Sequence, residues 1–225
     1  ADTIQMSHCT FKENVSDRGS AAVFSLGRAT SSKVQISGCL FEKNVPTSPF
    51  LNNTGPVQIS SSLYTSYLTI RSCTFRENAG RSMLYIDVIP KSIVGGPLNT
   101  QVVDSCRFEK NEVESSCIFS QGLGRMRLTN STFAHNKMPA AVVTSATTED
   151  VFCENLHFQN NVLQLLTNSN TPRVFFYFDD AVNKCKFNNM LFEKNGLAGA
   201  MYITISNGSV LTPEFVNCTF ARNYF

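Results

Sequence analysis

Hydrolysis of a glycosidic bond needs two carboxylates facing each other across roughly 5–10 Å, and lyase chemistry needs a base beside a charge-neutralising cation. The best acidic candidate in this sequence is Asp179-Asp180, directly after the apolar run Val174-Phe175-Phe176-Tyr177-Phe178. Neighbouring residues of a strand point to opposite faces, so this pair makes a poor dyad and reads as a solvated loop. The three histidines, His8, His135 and His157, show no metal-ligand spacing, and no Cys-x-x-Cys occurs. Glycine-rich phosphate loops are also missing from the sequence. The expectation is therefore no catalytic residue, no metal and no cofactor.

Two other residue classes carry possible chemistry. Eight cysteines could form disulfides or lie buried as small apolar thiols. Asn-x-Ser/Thr sequons stand at Asn14, Asn52, Asn130, Asn207 and Asn217. What either class can do depends on where the fold places it.

The placement comes from an internal repeat. Its unit is Phe-x-x-Asn, often with Cys two residues before the Phe: Cys9/Phe11/Asn14, Cys39/Phe41/Asn44, Cys73/Phe75/Asn78 and Cys106/Phe108/Asn111. It continues without the Cys at Phe133/Asn136, Phe158/Asn161 and Phe192/Asn195, and closes with Cys218/Phe220/Asn223. The steps between Phe residues are 30, 34, 33, 25, 25, 34 and 28.

Apolar residues recur five and mostly also seven positions before each Phe, as in Ile4/Met6, Val34/Ile36 and Leu68/Ile70. Positions minus seven and minus five share one strand face, and so do minus two and zero. The parity breaks between them, so two strands meet at a bend. The second bend residue is His8, Gly38, Ser72, Ser105, Asn130, Asn155, Asn189 or Asn217. Asn, Gly and His are enriched at positive φ, which predicts a left-handed residue there. A third apolar strand is expected after each Asn, at Ala21–Val23, Phe50-Leu51, Met83-Leu84, Cys117–Phe119, Ala140–Val142, Leu165-Leu166 and Ala200-Met201.

Three short strands per coil, repeated eight times, predict an all-β fold: a right-handed parallel β-helix of about eight coils, with 1–225 as one domain. An α-solenoid fails because no window carries apolar residues at i, i+3, i+4 and i+7. In such a fold the Phe residues stack inside, and Asn14, Asn44, Asn78, Asn111, Asn136, Asn161, Asn195 and Asn223 form a corner ladder. Every Cys falls on an inward column, and stacking brings Cys9 to Cys39 and Cys73 to Cys106. A mostly reduced thiol ladder and inter-coil disulfides both remain open. Asn14 belongs to the inward ladder and should be blocked, whereas Asn52, Asn130, Asn207 and Asn217 could carry glycans. In the first four repeats Lys12, Glu42, Arg76 and Glu109 alternate in sign after Phe, as do Glu13, Lys43, Glu77 and Lys110, out of phase. These columns are expected to face outward and to fix register.

Composition bounds the rest. The chain is 42% apolar and 16% charged, with a formal charge of +2, which excludes disorder and gives no basic run for nucleic acid. No stretch approaches the ~20 apolar residues of a membrane span. The sequence opens Ala-Asp-Thr without Met, as a processed form or a piece of something longer would. Neither end carries an amphipathic cap, so the coils are expected to continue into flanking β-helix sequence or into stacked copies of the chain.

The Phe-x-x-Asn repeat, with Gly19-Ser20-Ala21-Ala22-Val23, Pro139-Ala140-Ala141-Val142 and Ala198-Gly199-Ala200-Met201 after it, resembles the repeat of chlamydial polymorphic membrane proteins. Similar coils occur in pectin-lyase-like surface proteins of protists and algae. The resemblance implies a secreted β-helical adhesin or surface protein. The expected role is a non-catalytic extracellular structural protein, either a filament subunit or a stalk. The alternative is a carbohydrate-active or carbohydrate-binding β-helix using the longer loops Ile86–Gln101 and Thr167–Ala181.

Overall fold

The computed structural model describes residues 2–16, 21–26, 32–47, 55–61, 66–88, 99–121, 124–145, 148–163, 174–178, 182–196 and 213–224. Among these the chain is all-β, without helix, and its strand pairs are parallel. Two sheets have eight strands each, and in both the strands stack in chain order.

The first sheet runs from Asp2–Ser7 through Ser32–Ser37, Ser66–Arg71, Asn99–Asp104, Gly124–Thr129, Thr148–Glu154 and Val182–Asn188 to Pro213–Val216. Its burial alternates, as at Asn99–Asp104, because odd and even side chains take opposite faces. The second sheet has strands of only three residues, from Thr10–Lys12 to Thr219–Ala221, each centred on a repeat Phe. The register puts Phe11 opposite Phe41, Phe41 opposite Phe75, and so on to Phe192 opposite Phe220.

A left-handed residue separates the two sheets at every repeat, with φ of 53° at His8, 62° at Gly38 and 51° at Asn130. A second one follows two residues after each Phe, at Glu13, Lys43, Glu77, Lys110, His135, Asn160, Lys194 and Arg222. This second set was not anticipated: His135 and Asn160 are types enriched there, but the other six members are Glu, Lys or Arg, which have no such preference. Each bend still hands its backbone on to the next repeat: His8 N donates to Ser37 O at 2.9 Å and Glu13 N to Glu42 O at 2.9 Å. Both bends therefore stay inside the hydrogen-bond ladder, which offsets their conformational cost.

The third sheet contains Ala22–Leu26, Val57–Ser61, Ala79–Val88, Glu112–Gln121, Ala140–Ser145 and Val174–Phe178. Two of its strands differ from the sequence expectation. The places assigned to Phe50-Leu51 and Leu165-Leu166 are taken by Val57–Ser61 and Val174–Phe178, and those two dipeptides, with Ala200-Met201, lie outside the described residues. Part of the segment expected to be the loop Thr167–Ala181 is thus a buried strand. The other expected loop, Ile86–Gln101, likewise has strand at both ends. Its apolar run could not be told from a loop anchor by pattern alone, because a strand buried on both faces has no alternation.

The inner faces of the three sheets enclose one core that extends from Ala22 to Phe192. A smaller apolar cluster, Ala140, Val143 and Val174 with Phe119 and Tyr177 against it, lies apart from that core on the third sheet.

Candidate functional site: the side-chain ladders

Repetition in register makes each column of equivalent residues one physical object. The phenylalanine column is the simplest. Successive rings from Phe11 to Phe220 stack with centroids 4.8–5.1 Å apart and planes within 12°. Phe175 and Phe176 close the far side, meeting Phe158, Phe192 and Phe187 at tilted angles. Each buried ring removes on the order of 150 Å² or more from water.

The asparagine column consumes its own polarity. Asn44 donates its backbone N–H and its Nδ2 to Asn78 Oδ1, both at 2.9 Å, and donates a second Nδ2 proton to Phe11 O at 3.0 Å. The same three bonds recur at Asn78, Asn111, Asn136, Asn161 and Asn195. Each interior amide thereby spends both protons and both oxygen lone pairs inside the stack. Asn136 and Asn161 are fully buried. Such an amide has nothing left with which to hold a ligand. Asn14 joins the same ladder, its Nδ2 donating to Asn44 Oδ1 at 2.7 Å.

The cysteine column does similar work at the bend. Cys9, Cys39, Cys73, Cys106 and Cys218 donate their thiols to the carbonyl two residues earlier, at 3.2–3.5 Å. Ser131 occupies the same column, and its Oγ donates to Thr129 O at 2.8 Å. The column also accepts: Cys9 N donates to Cys39 Sγ, and Cys106 N to Ser131 Oγ. The structure holds all eight cysteines as free thiols, with Cys9 beside Cys39 and Cys73 beside Cys106 in the column. Each of these thiols donates to its own bend carbonyl while lying beside the thiols of neighbouring repeats. Burial pushes the Cys185 thiol up to about 12 and also raises the Cys117 and Cys153 thiols. Thiolate, the reactive form, is thereby suppressed.

The charged columns are only partly as expected. Glu42 stands in the outward column yet is covered by its neighbours, between Lys12 Nζ at 3.3 Å and Arg76, whose Nε donates to it at 2.9 Å and whose Nη2 also contacts it. The Arg76 hydrogen bond holds the Glu42 carboxyl below its ordinary value. Lys43 pairs with Glu77 at 3.9 Å, but Glu109 turns to Arg107 on its own strand at 3.1 Å. Lateral pairing wins there because the Arg107 guanidinium reaches the same carboxylate with its Nη2 as well, at 3.2 Å.

A further ladder escaped the sequence reading. Asp104 Oδ1 accepts from Thr129 Oγ1 at 2.7 Å and from Asn130 Nδ2 at 2.9 Å. Asn155 then donates to Asn130, and Asn189 to Asn155, along the outer bend. Although burial opposes it, these hydrogen bonds leave the Asp104 carboxyl below its ordinary value. The recurrence of Asn at the bend was the available signal. Sequons Asn130 and Asn217 sit on exposed left-handed bend positions, while Asn52 and Asn207 fall outside the described residues.

Asp179 and Asp180 lie outside the described residues, and His8, His135 and His157 belong to three different repeats. Asp87 was not singled out from sequence. Burial raises its carboxyl, and its Oδ1 is buried without a hydrogen-bond partner. Its in-register neighbours are Ser60 and Gln121, so no second carboxylate faces it across the sheet.

Comparisons with known protein families, with curated proteins and with solved structures find nothing that matches this chain.

Proposed function

We propose that this chain is a right-handed parallel β-helix of about eight coils, of the pectin-lyase-like kind, serving as a non-catalytic extracellular structural protein: a subunit or stalk that stacks end to end. The right hand follows from the near-universal handedness of parallel β crossovers. The observation that carries the reading is the asparagine column. Its interior donors and acceptors are spent joining one repeat to the next, which supports a stiff scaffold rather than a ligand site in that column. Sequons at exposed bends support a secreted surface protein that bears glycans.

Negative-stain electron microscopy of the purified chain tests this reading, with elongated rods or end-joined filaments as the expected result. Release of new reducing ends from a polysaccharide panel would replace it with the carbohydrate-active reading. Mass spectrometry of native material is expected to find glycan on Asn130 or Asn217.

A further inference from the structure

Four of the eight cysteines stand on consecutive repeats of one column: Cys9, Cys39, Cys73 and Cys106. The pairings on either side of the bend fix their register. Arg71 lies opposite Asp104 and Thr74 opposite Arg107, which puts Cys73 opposite Cys106. Ser7 opposite Ser37 and Thr10 opposite Leu40 do the same for Cys9 and Cys39. Parallel neighbours about 4.8 Å apart fall inside the Cα separations that a disulfide spans. The sulfurs also lean along the column. Besides its own bend carbonyl, Cys106 Sγ reaches Ile70 O of the preceding repeat at 3.6 Å, and Cys73 Sγ reaches Ile36 O at 3.8 Å.

From this column we infer that the protein acquires two disulfides between repeats when it folds under oxidising conditions, Cys73–Cys106 and Cys9–Cys39. The pairing follows from the next position in the column. Ser131 ends the run of thiols there, its Oγ accepting from Cys106 N at 3.0 Å, so among the described residues Cys73 is the one thiol beside Cys106 in the column. With Cys73 taken, Cys39 is left to Cys9, whose N–H already donates to Cys39 Sγ at 3.4 Å. The remaining inward sulfurs are placed differently. Cys117 meets the thioether of Met138 at 3.4 Å. Cys153 lies opposite Phe187 and two register positions from Cys185, a diagonal of about 7–8 Å that a disulfide does not span.

The oxidant is a low-molecular-weight disulfide such as oxidised glutathione. The Cys73 thiolate attacks one of its sulfurs and releases the first small thiol. Cys106 then gives up its proton, displaces the second small thiol and closes the bond. Each staple thus oxidises two protein thiols and reduces one small disulfide to two thiols. The hydrogen bond with Cys106 holds the Cys73 thiol below its ordinary value, which suits it to the first attack. Cys73 and Cys106 are 1% and 2% exposed once stacked, so the exchange belongs to folding, before the coils close. The staples rest on the reading of the chain as extracellular, where disulfides persist.

The test is refolding of the whole 225-residue chain from denaturant in a glutathione redox buffer, followed by non-reducing peptide mapping by mass spectrometry. Two linked pairs are expected, Cys73 with Cys106 and Cys9 with Cys39, while Cys117, Cys153 and Cys185 are alkylated as thiols. Reduction of the refolded chain is expected to lower its urea midpoint of unfolding. Ser131→Cys gives Cys106 a second thiol neighbour and is expected to divert part of its linkage to position 131. A Cys39–Cys73 link as the main product, or a refolded chain with all eight thiols alkylated, would overturn the staples. So would a Ser131→Cys chain that links Cys106 outside this column. None of these failures touches the scaffold reading, which rods in the electron microscope and glycan on Asn130 or Asn217 test separately.

Discussion

The Phe-x-x-Asn corner and the third sheet belong to the same repeats but obey different rules. At the corner the spacing is fixed: bend, Phe and Asn keep the same offsets in all eight repeats, and both left-handed positions recur without exception. In the third sheet the in-register core residue lies eight positions after Asn14, thirteen after Asn44, six after Asn78, seven after Asn111, six after Asn136 and fifteen after Asn161. One strand there, Ala79–Val88, also shifts register between Gly80 and Ser82. The difference is one of satisfaction. A corner amide has three geometrically exact partners and cannot slip, whereas an aliphatic side chain needs only volume and tolerates inserted chain before it.

Breaking the two regions should show this asymmetry. Phe133→Ala removes a ring stacked at 4.8 Å on one side and 4.8 Å on the other. The expected loss is about 3–5 kcal/mol by chemical denaturation, and Phe119→Ala, half-buried on the third sheet, should cost clearly less. Equal losses would erase the distinction between the regions.

Asn136→Leu keeps volume but strands the Asn111 donors and the Phe108 carbonyl. Buried groups left unpaired cost about 1–3 kcal/mol each, so a loss of about 3 kcal/mol is expected in the same assay. A change below about 1 kcal/mol would mean that the ladder does not hold the corner.

The Glu42 carboxyl sharpens the comparison through pH. Its folded-state pKa is depressed below the ordinary 4.5, so its contribution is present above that value and lost as pH falls through the lower folded value. Thermal melts from pH 6 to 3 should show this acid loss in the parent and a weaker loss in Glu42→Gln. Parallel profiles for the two chains would remove Glu42 from the account.

The smallest effect concerns backbone strain. Lys110 holds φ at 54° without being glycine. Lys110→Gly relieves that strain at some entropic cost in the unfolded chain, for an expected net gain of about 0.5 kcal/mol. Destabilisation would show that the lysine side chain outweighs its backbone.

Much of the corner was legible because its signals are local. A residue type at a fixed offset reports strand parity, bend position and which side chains stack, and eight copies remove the ambiguity of any one. Six of the eight repeats carry Cys or Ser131 in this column, each a small side chain able to donate to the bend carbonyl, while Leu156 and Met190 fill the other two without a donor. The outer Asp104, Asn130, Asn155, Asn189 series could have been read the same way.

What the chain alone determined is the parallel, all-β stacking of its repeats, since a period-two pattern broken at constant bends leaves few other ways to bury eight Phe. Only the tertiary structure decided which segments complete the third sheet, which way Glu42 and Glu109 turn, and that the thiols serve bend carbonyls. The third-sheet segments and Glu42 depend on neighbours in other repeats, and even the partners two residues away, Arg107 for Glu109 and the bend carbonyls for the thiols, are reached only in the folded geometry. Their energies are set by three-dimensional packing and hydrogen-bond geometry, which no local spacing encodes.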